Sequence, residues 1–373
     1  MIHLNDKLVS SVSLFQGPAD NPFLAPRAAL LSKGRLIVSD TGQNRVFIWN
    51  ELPKQKHQEP DVVLGQTEAG NTMRNSGGEA HASSLLYPSG LWSDGKRLLV
   101  ADAWNHRVLI WHEFPRENSQ AADVVLGQPD FHGNLPNVRG ITAKPSARSL
   151  NWPYGLFSNG KALWIADTGN RRILYFDNIP EESFAEAQAV IGKSSFEERD
   201  YDPQFPIWPY SVRISDKGQM AVADTQYYRV LLWHHWREAL HKPADVVIGQ
   251  ADLNSNGQNQ YKLFPEAYTL NWCYDSCFYR EGLWVADTGN SRLLWFDSIP
   301  QKNNQAADDL LGQKDFNTGS ENERSIRSTE DSYYWPFFIS IEGNTMVVAD
   351  TGNHRIVINE LSAEFSSSKR QKA

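Results

Sequence analysis

The sequence predicts an all-β fold, a six-bladed β-propeller of four-stranded antiparallel blades. One short signature occurs six times along the 373 residues, and each copy lies among short apolar runs that are separated by turn residues. In addition, a strand-like run near the N-terminus has no counterpart after the last copy. Repetition of one small unit is typical of propellers and of other repeat architectures.

The signature is an aspartate followed by an arginine five residues later. Successive aspartates are spaced by 57 to 65 residues. The pairs are Asp40 and Arg45, Asp102 and Arg107, Asp167 and Arg172, Asp224 and Arg229, Asp287 and Arg292, and Asp350 and Arg355. The pairs either form a ring of charge or tie together their own turns and neighbouring blades. Their sixfold repetition favours the structural role.

The third copy shows the predicted strands of one blade. Residues 154–158 and 162–167 are strands joined by an Asn-Gly turn, and residues 172–176 form the third strand. Asparagine and glycine accept the positive φ that such turns need. The fourth strand is a run rich in Val, Ile and Leu, as expected for a strand buried on both faces. Its copies are residues 61–66, 123–128, 189–193, 245–250 and 308–313.

The sixth repeat lacks a fourth strand of its own. It ends after Ile358 and Asn359, whereas residues 11–16 (Ser-Val-Ser-Leu-Phe-Gln) resemble the missing strand and precede the first repeat. We therefore predict a single domain over residues 1–361, in which residues 11–16 complete the last blade, followed by a polar tail at residues 362–373. Such a closure removes an open sheet edge.

Charge and composition exclude several classes of partner. The chain has 36 Lys and Arg against 44 Asp and Glu, a formal charge of −8, which repels nucleic acid and acidic membrane surfaces. No run approaches the ~18 apolar residues that span a bilayer, and the N-terminus lacks the apolar core of a signal peptide. Two cysteines exclude a disulfide framework. We expect a cytoplasmic protein; the sequence identifies no cofactor, metal or oligomeric state.

The repeated Val-Ala-Asp-Thr-Gly-Asn-x-Arg segments, together with Val-Leu-Gly-Gln-Pro-Asp-Phe at residues 125–131, resemble the NHL-repeat family. The likeness extends over nearly the whole chain and implies a propeller. It implies no single activity, because the family includes RNA-binding propellers, extracellular sensor domains, interaction scaffolds and a zinc-dependent peptide-amidating lyase. This chain is acidic and has no histidine in its six inner-strand segments, so it departs from the RNA-binding members and from the lyase.

Aromatic residues mark the starts of the inner strands, and the connections that lead to them are long, as binding loops often are. Period-two alternation predicts that a tryptophan before the strand and the aromatic residue two positions later face the same side. Together these residues either pack blade against blade or form an aromatic pocket for a planar, apolar or cationic ligand. They are Trp152 and Tyr154, Trp208 and Tyr210, Trp272 and Tyr274, and Trp335 and Phe337. Blade one has Ala-Pro-Arg at residues 25–27 instead.

Blade five departs most from the repeat. It has Cys273, Asp275 and Cys277 at alternate positions of the predicted inner strand, and Arg213 lies at a comparable level in blade four. A thiol beside a charged group is either an activated nucleophile or a metal ligand, and the alternative is a small buried residue. We predict that Cys273 faces the channel and reacts with thiol reagents.

His81 and Glu266, in the loops before blades two and five, are further candidates at the channel mouth. The leading hypothesis is a soluble propeller that binds a small molecule or a protein segment at the aromatic, loop-bearing face around the central channel. The alternative is an enzyme, namely a lyase, a hydrolase or a thiol-dependent catalyst. Its active site would lie at the channel mouth near Cys273, Asp275 and Cys277.

Overall fold

The structure is a computed structural model that describes residues 13–202 and 207–362. The strands in these residues form six four-stranded antiparallel sheets. The innermost strand of each sheet contacts the innermost strands of both neighbouring sheets, and the series closes from the sixth sheet to the first. The chain is therefore a six-bladed β-propeller, and the predicted fold class is confirmed.

Within each blade the four strands follow one another from the channel outwards. Blades one to three consist of Ala28–Ser32, Arg35–Asp40, Arg45–Trp49 and Val62–Leu64; Pro88–Ser93, Leu98–Asp102, Arg107–Trp111 and Val124–Leu126; and Pro153–Ser158, Leu163–Asp167, Arg172–Phe176 and Ala189–Ile191. Blades four to six consist of Pro209–Ile214, Met220–Asp224, Arg229–Trp233 and Val246–Ile248; Asp275–Tyr279, Gly282–Asp287, Arg292–Phe296 and Asp309–Leu311; and Pro336–Glu342, Thr345–Asp350, Arg355–Glu360 and Ser13–Phe15.

The helical segments of the described chain are short 3-10 turns. Those between the second and third strands are Thr41–Gln43, Ala103–Asn105, Thr168–Asn170, Thr225–Tyr227, Thr288–Asn290 and Thr351–Asn353. The others are Arg74–Gly77, Trp236–Leu240, Gln258–Tyr261 and Glu321–Arg324. None of the helices in residues 13–202 and 207–362 is long and apolar enough to cross a membrane.

The fourth strands of blades one to five are shorter than the sequence suggests, because a glycine directly follows each of them. Gly127 follows the fourth strand of blade two with φ +93°, a left-handed conformation that residues with a Cβ avoid. A Cβ at this position would also lie 2.7 Å from Leu150 Cδ1. The chain therefore leaves the sheet at this point and begins the long connection to the next blade.

The six Asp/Arg pairs have the structural role. In every pair the arginine Nε donates to an aspartate oxygen at 2.6–2.8 Å, and both side chains are buried. In blade three the other oxygen of Asp167 accepts the backbone N–H of Asn151 at 2.7 Å. Arg172 donates further bonds to the carbonyls of Ser146 and Ser149. Each pair therefore fixes the long connection of its own blade, since a buried ion pair needs such additional hydrogen bonds.

The predicted closure of the ring is confirmed over Ser13–Phe15, which pairs with the third strand of blade six through the Leu14–Val357 register. Phe15 is buried, and its ring meets those of Phe23 and Trp49 edge to face at 5.5 and 5.0 Å. Residues 11–12, and the predicted polar tail beyond residue 362, lie outside the described residues.

Candidate functional site

The antiparallel order brings the long connections and the Asp/Arg turns to the same end of the ring. In blade three, strand pairing aligns Pro153 with Asp167 and Asp167 with Arg172. The start of the inner strand therefore lies beside the turn between the second and third strands. The connection from each fourth strand reaches the next inner strand at this end as well. We call this end the loop-bearing face.

At the mouth of the channel, four aromatic rings at the starts of successive inner strands contact one another. Tyr154 stacks on Tyr210 with centroids 5.1 Å apart and planes 4° from parallel. Tyr210 meets Tyr274 edge to face at 5.1 Å, and Tyr274 stacks on Phe337 at 4.0 Å. Such contacts add to the energy of apolar burial. We call Tyr154, Tyr210, Tyr274 and Phe337 the mouth collar.

Arg27 of blade one occupies the position that the collar residues occupy in their own blades. Its guanidinium carbon lies 4.7 Å from the ring centroid of Phe337, 4.9 Å from that of Tyr87 and 5.6 Å from that of Tyr154. These distances are within the range of cation–π attraction. The sequence suggested that the aromatic residues could bind a cationic ligand. In the structure Arg27 of the protein itself provides the cation next to them. Arg27 was not among the candidate site residues from the sequence. It could have been found there, because it stands at a position that is aromatic in four other blades.

The tryptophans before the inner strands do not share a side with the collar residues, so this prediction was wrong. Trp152 has a left-handed backbone with φ 49°, and the strand register shifts between Pro153 and Gly155. Either feature breaks the period-two alternation. Trp152 turns towards the preceding blade instead, where it stacks on His106 at 6.0 Å.

The other tryptophans at this position make similar contacts with neighbouring turns and loops. Trp208 lies under the Arg171 guanidinium at 4.1 Å, and Trp272 stacks on Tyr228 at 6.4 Å. The ring of Trp335 meets Tyr334 at 5.0 Å. These tryptophans therefore form an outer aromatic set around the mouth collar.

Large apolar side chains are exposed on the loop-bearing face alone within residues 13–202 and 207–362. All of them lie in the long connections or in the turn after a motif aspartate, and the most exposed are Tyr261, Leu263 and Ile326 at 84, 87 and 100%. The full set is Leu24, Met73, Trp104, Leu135, Ile141, Trp152, Tyr201, Tyr261, Leu263, Phe264, Trp272, Ile326 and Trp335. Exposed apolar surface gathered on one side is typical of an interaction site.

Several long connections are held in place by paired asparagine amides, a feature that sequence reasoning missed. In blade three Asn137 and Asn170 exchange two hydrogen bonds, at 3.0 and 2.8 Å. The same reciprocal pair joins Asn75 to Asn105, Asn259 to Asn290, and Asn322 to Asn353. An asparagine that recurs in these four loops could have predicted the pairs from the sequence. The loop-bearing face is thus largely preorganised.

The channel itself offers little room. The mouth collar, Arg27, Ser211 and Arg213 line a cavity of about 40 Å³. A ligand pocket usually encloses several hundred Å³, so this cavity accommodates water molecules and no organic ligand. Larger cavities, of about 340 and 400 Å³, lie at the rim of the ring beside Lys54 and Lys96. The cavity beside Lys96 is bordered mainly by polar and charged side chains, and the one beside Lys54 by a mixture that includes Leu14 and Phe15 of the closing strand. Both lie away from the mouth collar, so we do not assign them as the binding site.

Cys273 does not face the channel, contrary to prediction. It precedes the inner strand of blade five and is fully buried, and its Sγ lies 3.0 Å from the carbonyl oxygen of Arg229, to which it donates. Burial raises the pKa of this thiol well above its ordinary value. A buried thiol without thiolate character is a poor nucleophile and a poor metal ligand. Cys273 is a packing residue between blades four and five.

Cys277, Asp275 and Arg213 do lie close together. Arg213 donates to Asp275 Oδ2 at 2.7 Å and its guanidinium lies 4.6 Å from the Phe338 ring, while Asp275 Oδ2 also accepts from Ile339 N at 3.1 Å. Burial raises the pKa of Asp275, and Arg213 opposes this. Cys277 is half-buried, and burial raises its pKa to about 12. The group joins blades four, five and six, and its thiol is not activated.

His81 and Glu266 bond within their own loops. His81 Nδ1 accepts from Ser83 N at 3.2 Å, and its pKa is lowered first by burial and then by Arg107. Glu266 pairs with Lys262 at 2.9 Å, and this hydrogen bond lowers the pKa of the carboxyl. Neither side chain lines the mouth cavity.

One group in the described part of the chain has the composition of a metal site. Ligand atoms of His234, Glu238 and Asp245 lie within 4.8 Å of one another. The Lys242 ammonium group already lies 3.2 Å from Glu238 and 2.6 Å from Asp245. Because lysine supplies the positive charge there, we assign no metal to this group.

Comparison with known proteins supports the fold. No protein-family model and no curated protein matches the chain. An auxiliary nutrient binding protein from Bacteroides thetaiotaomicron is similar in structure, with a TM-score of 0.53 and 9% identity over 93% of this chain and 75% of the other. A structural genomics protein of unknown function from the same organism has a TM-score of 0.50 and 11% identity over 94% and 76%. At such low identity these similarities show the fold alone.

Proposed function

We propose that the protein is a binding protein whose ligand, a protein segment or a small molecule, lies on the loop-bearing face over the mouth collar. The observation that carries this proposal is the gathering of exposed large apolar side chains on this face of the described chain. Exposing such residues costs free energy in water, about 25 cal/mol for each Å² left unburied. A bound partner recovers this energy.

The size of the mouth cavity supports a ligand that lies across the face. About 40 Å³ cannot enclose an organic molecule, so the ligand contacts the outer surface of the collar. An extended ligand reaches from the collar to outer residues such as Trp152 and Trp272. A protein segment is therefore the better fit of the two ligand classes.

The six repeated Asp/Arg turns support a further proposal, that the chain is an NHL-repeat protein. The nutrient binding protein that shares this fold is consistent with a binding role. No observation in the described residues favours the enzyme alternative, since the Cys273 thiol is buried and burial raises its pKa.

The proposal is tested by fluorine NMR on protein that carries fluorinated tryptophan. N-acetyl-tryptophanamide serves as an uncharged aromatic probe, and single Trp→Phe variants assign the signals. We expect saturable shifts at Trp152, Trp272 and Trp335, which are exposed, and none at the buried Trp49 and Trp111. An uncharged peptide amide that contains one tryptophan is expected to bind more tightly, because it also reaches the outer aromatic set.

Two outcomes contradict this proposal. One is the absence of any saturable shift with either probe. The other is a set of shifts confined to tryptophans outside the loop-bearing face. A peptide amide that binds no better than the single residue would favour the small-molecule ligand over the protein segment.

A further inference from the structure

We propose that Arg27 recognises a carboxylate group of the ligand at the centre of the loop-bearing face. This inference rests on the proposed function and specifies the chemistry of the ligand. The carboxylate is either that of a protein segment, at its C-terminus or on Asp or Glu, or that of a small organic acid. These sources present the same planar anion.

The first observation is that the Arg27 guanidinium has aromatic neighbours and, within the described residues, no polar partner. Phe337, Tyr87 and Tyr154 surround it at 4.7 to 5.6 Å, and the side chain is half-buried. Among residues 13–202 and 207–362, no carboxylate pairs with it, and its side-chain N–H groups donate no hydrogen bond. A guanidinium has five such donors, and leaving them without an acceptor in a partly buried site is unfavourable.

The second observation is the contrast with the six motif arginines and with two half-buried arginines, Arg97 and Arg213. The motif arginine of each blade pairs with an aspartate, and Arg213 pairs with Asp275 at 2.7 Å. Arg97 likewise pairs with Asp94 at 2.7 Å. Arg27 therefore differs from these arginines in having no carboxylate partner among the described residues, although it lines the mouth cavity together with the collar.

The chemistry of the site selects a carboxylate. A guanidinium binds this planar anion through two parallel N–H···O bonds, and bonds between charged groups are stronger than neutral ones. The rings lie within cation–π distance of the guanidinium, and its N–H donors have no acceptor among the described residues. The apolar collar around it favours a carboxylate that is flanked by an aromatic or aliphatic group.

The experiment compares N-acetyl-tryptophan with N-acetyl-tryptophanamide, which differ only in the carboxylate. Affinities are measured by NMR titration of the wild-type protein and of Arg27→Gln, Arg27→Lys and Arg171→Gln. Arg171 is the matched control, because its guanidinium also stacks on a tryptophan of this face, Trp208, at 4.1 Å. Thermal unfolding of each variant shows whether it is folded.

We expect the acid to bind the wild type about tenfold more tightly than the amide, since charge-assisted bonds add this much. Arg27→Gln should abolish the preference, Arg27→Lys should retain part of it, and Arg171→Gln should leave it unchanged. A further arm compares a short peptide that ends in tryptophan with its C-terminal amide. A preference only for the free peptide identifies a protein C-terminus as the source, and one only for the single residue identifies a small acid.

The outcomes separate this inference from the proposed function. Equal binding of acid and amide by the wild type overturns the role of Arg27 and leaves a ligand-binding face in place. A preference that survives in Arg27→Gln overturns it too. Failure of both probes to bind overturns the proposed function. If Arg27→Gln does not fold, Arg27→Lys decides, because a preference equal to that of the wild type contradicts recognition by a planar guanidinium.

Discussion

The threonine after the motif aspartate joins each blade to the next in five of the six turns. In blade six the Thr351 hydroxyl donates to the Pro26 carbonyl of blade one at 2.6 Å, and in blade three Thr168 donates to Pro209 at 2.7 Å. Blade two has Ala103 at this position, buried in a turn of the same conformation. This link between blades two and three is therefore missing.

The substitution Ala103→Thr is predicted to stabilise the protein. It supplies the missing hydroxyl opposite Pro153, and a buried hydrogen bond contributes about 1 kcal/mol. The measurement is urea unfolding of the variant, with Thr168→Val as the control that removes an existing link and lowers the free energy of unfolding. A variant with threonine that is less stable than the wild type would show that the turn has no room for it.

His106 makes the stability of the blade two boundary depend on pH. Its Nδ1 accepts the Trp152 backbone N–H at 3.1 Å, and burial lowers its pKa from 6.5 to about 4. In the unfolded chain the His106 imidazole is protonated below about pH 6.5. In the folded protein it is protonated only near pH 4. The stability that this difference provides is fully present above pH 6.5 and is lost as the pH falls towards 4.

The substitution His106→Asn is predicted to remove this pH dependence while keeping the hydrogen bond. In blade one Asn44 occupies the same position, and its Oδ1 accepts from Tyr87 N at 3.0 Å. Between pH 7 and pH 4 the wild type should lose up to about 3 kcal/mol more of its free energy of unfolding than the variant. Urea unfolding at several pH values measures this, and parallel losses in the two proteins would contradict it.

At the scale of the strand, the sequence predicted the elements well and their side-chain directions less well. The second and third strands follow the apolar runs, because they are buried on both faces and need no alternation. Five of the inner strands are preceded by a left-handed residue such as Trp272 (φ 44°), a conformation that residue types alone do not reveal. The burial of Cys273 has the same cause, since it lies before the strand and outside the alternation.

The outer strand of blade six supports a prediction about truncation. Deletion of residues 1–18 removes Ser13–Phe15 and exposes the edge of Arg355–Glu360, together with the contacts of Phe15. Loss of a buried phenylalanine alone costs about 3–5 kcal/mol, and an open edge promotes aggregation. We expect a markedly lower melting temperature or insoluble protein. An unchanged melting temperature would contradict the closure of the ring by this strand.

At the scale of the whole molecule, six similar blades make the fold predictable, and their differences determine the site. The sixfold repetition predicted the closed ring of blades. In the sequence, Arg27 stands out only because the five equivalent positions in the other blades are aromatic or serine. Its lack of an ion pair within the described part of the chain depends on which carboxylates the fold brings near, and no sequence pattern gives that. The exposed apolar side chains of the loop-bearing face likewise come from loops of unrelated sequence, and only the fold brings them to one side of the molecule.

The formal charge of −8 leads to a prediction about partners. Binding of nucleic acid relies on phosphate neutralisation by clustered basic residues, so we expect no appreciable binding to RNA or DNA at physiological salt. Mobility-shift titrations with mixed-sequence RNA and DNA measure this. Salt-sensitive binding at submicromolar concentration would contradict the prediction and indicate a basic face within an acidic total.

A crystal structure of the protein soaked with N-acetyl-tryptophan tests the central claim most directly, because it locates the ligand without relying on any variant. We predict that the indole ring lies on the mouth collar and that the carboxylate faces the Arg27 guanidinium. The rim cavities of about 340 and 400 Å³ are two alternative locations in the described structure. A probe bound only there, with Arg27 still without a partner, would contradict the assignment of the loop-bearing face as the functional surface.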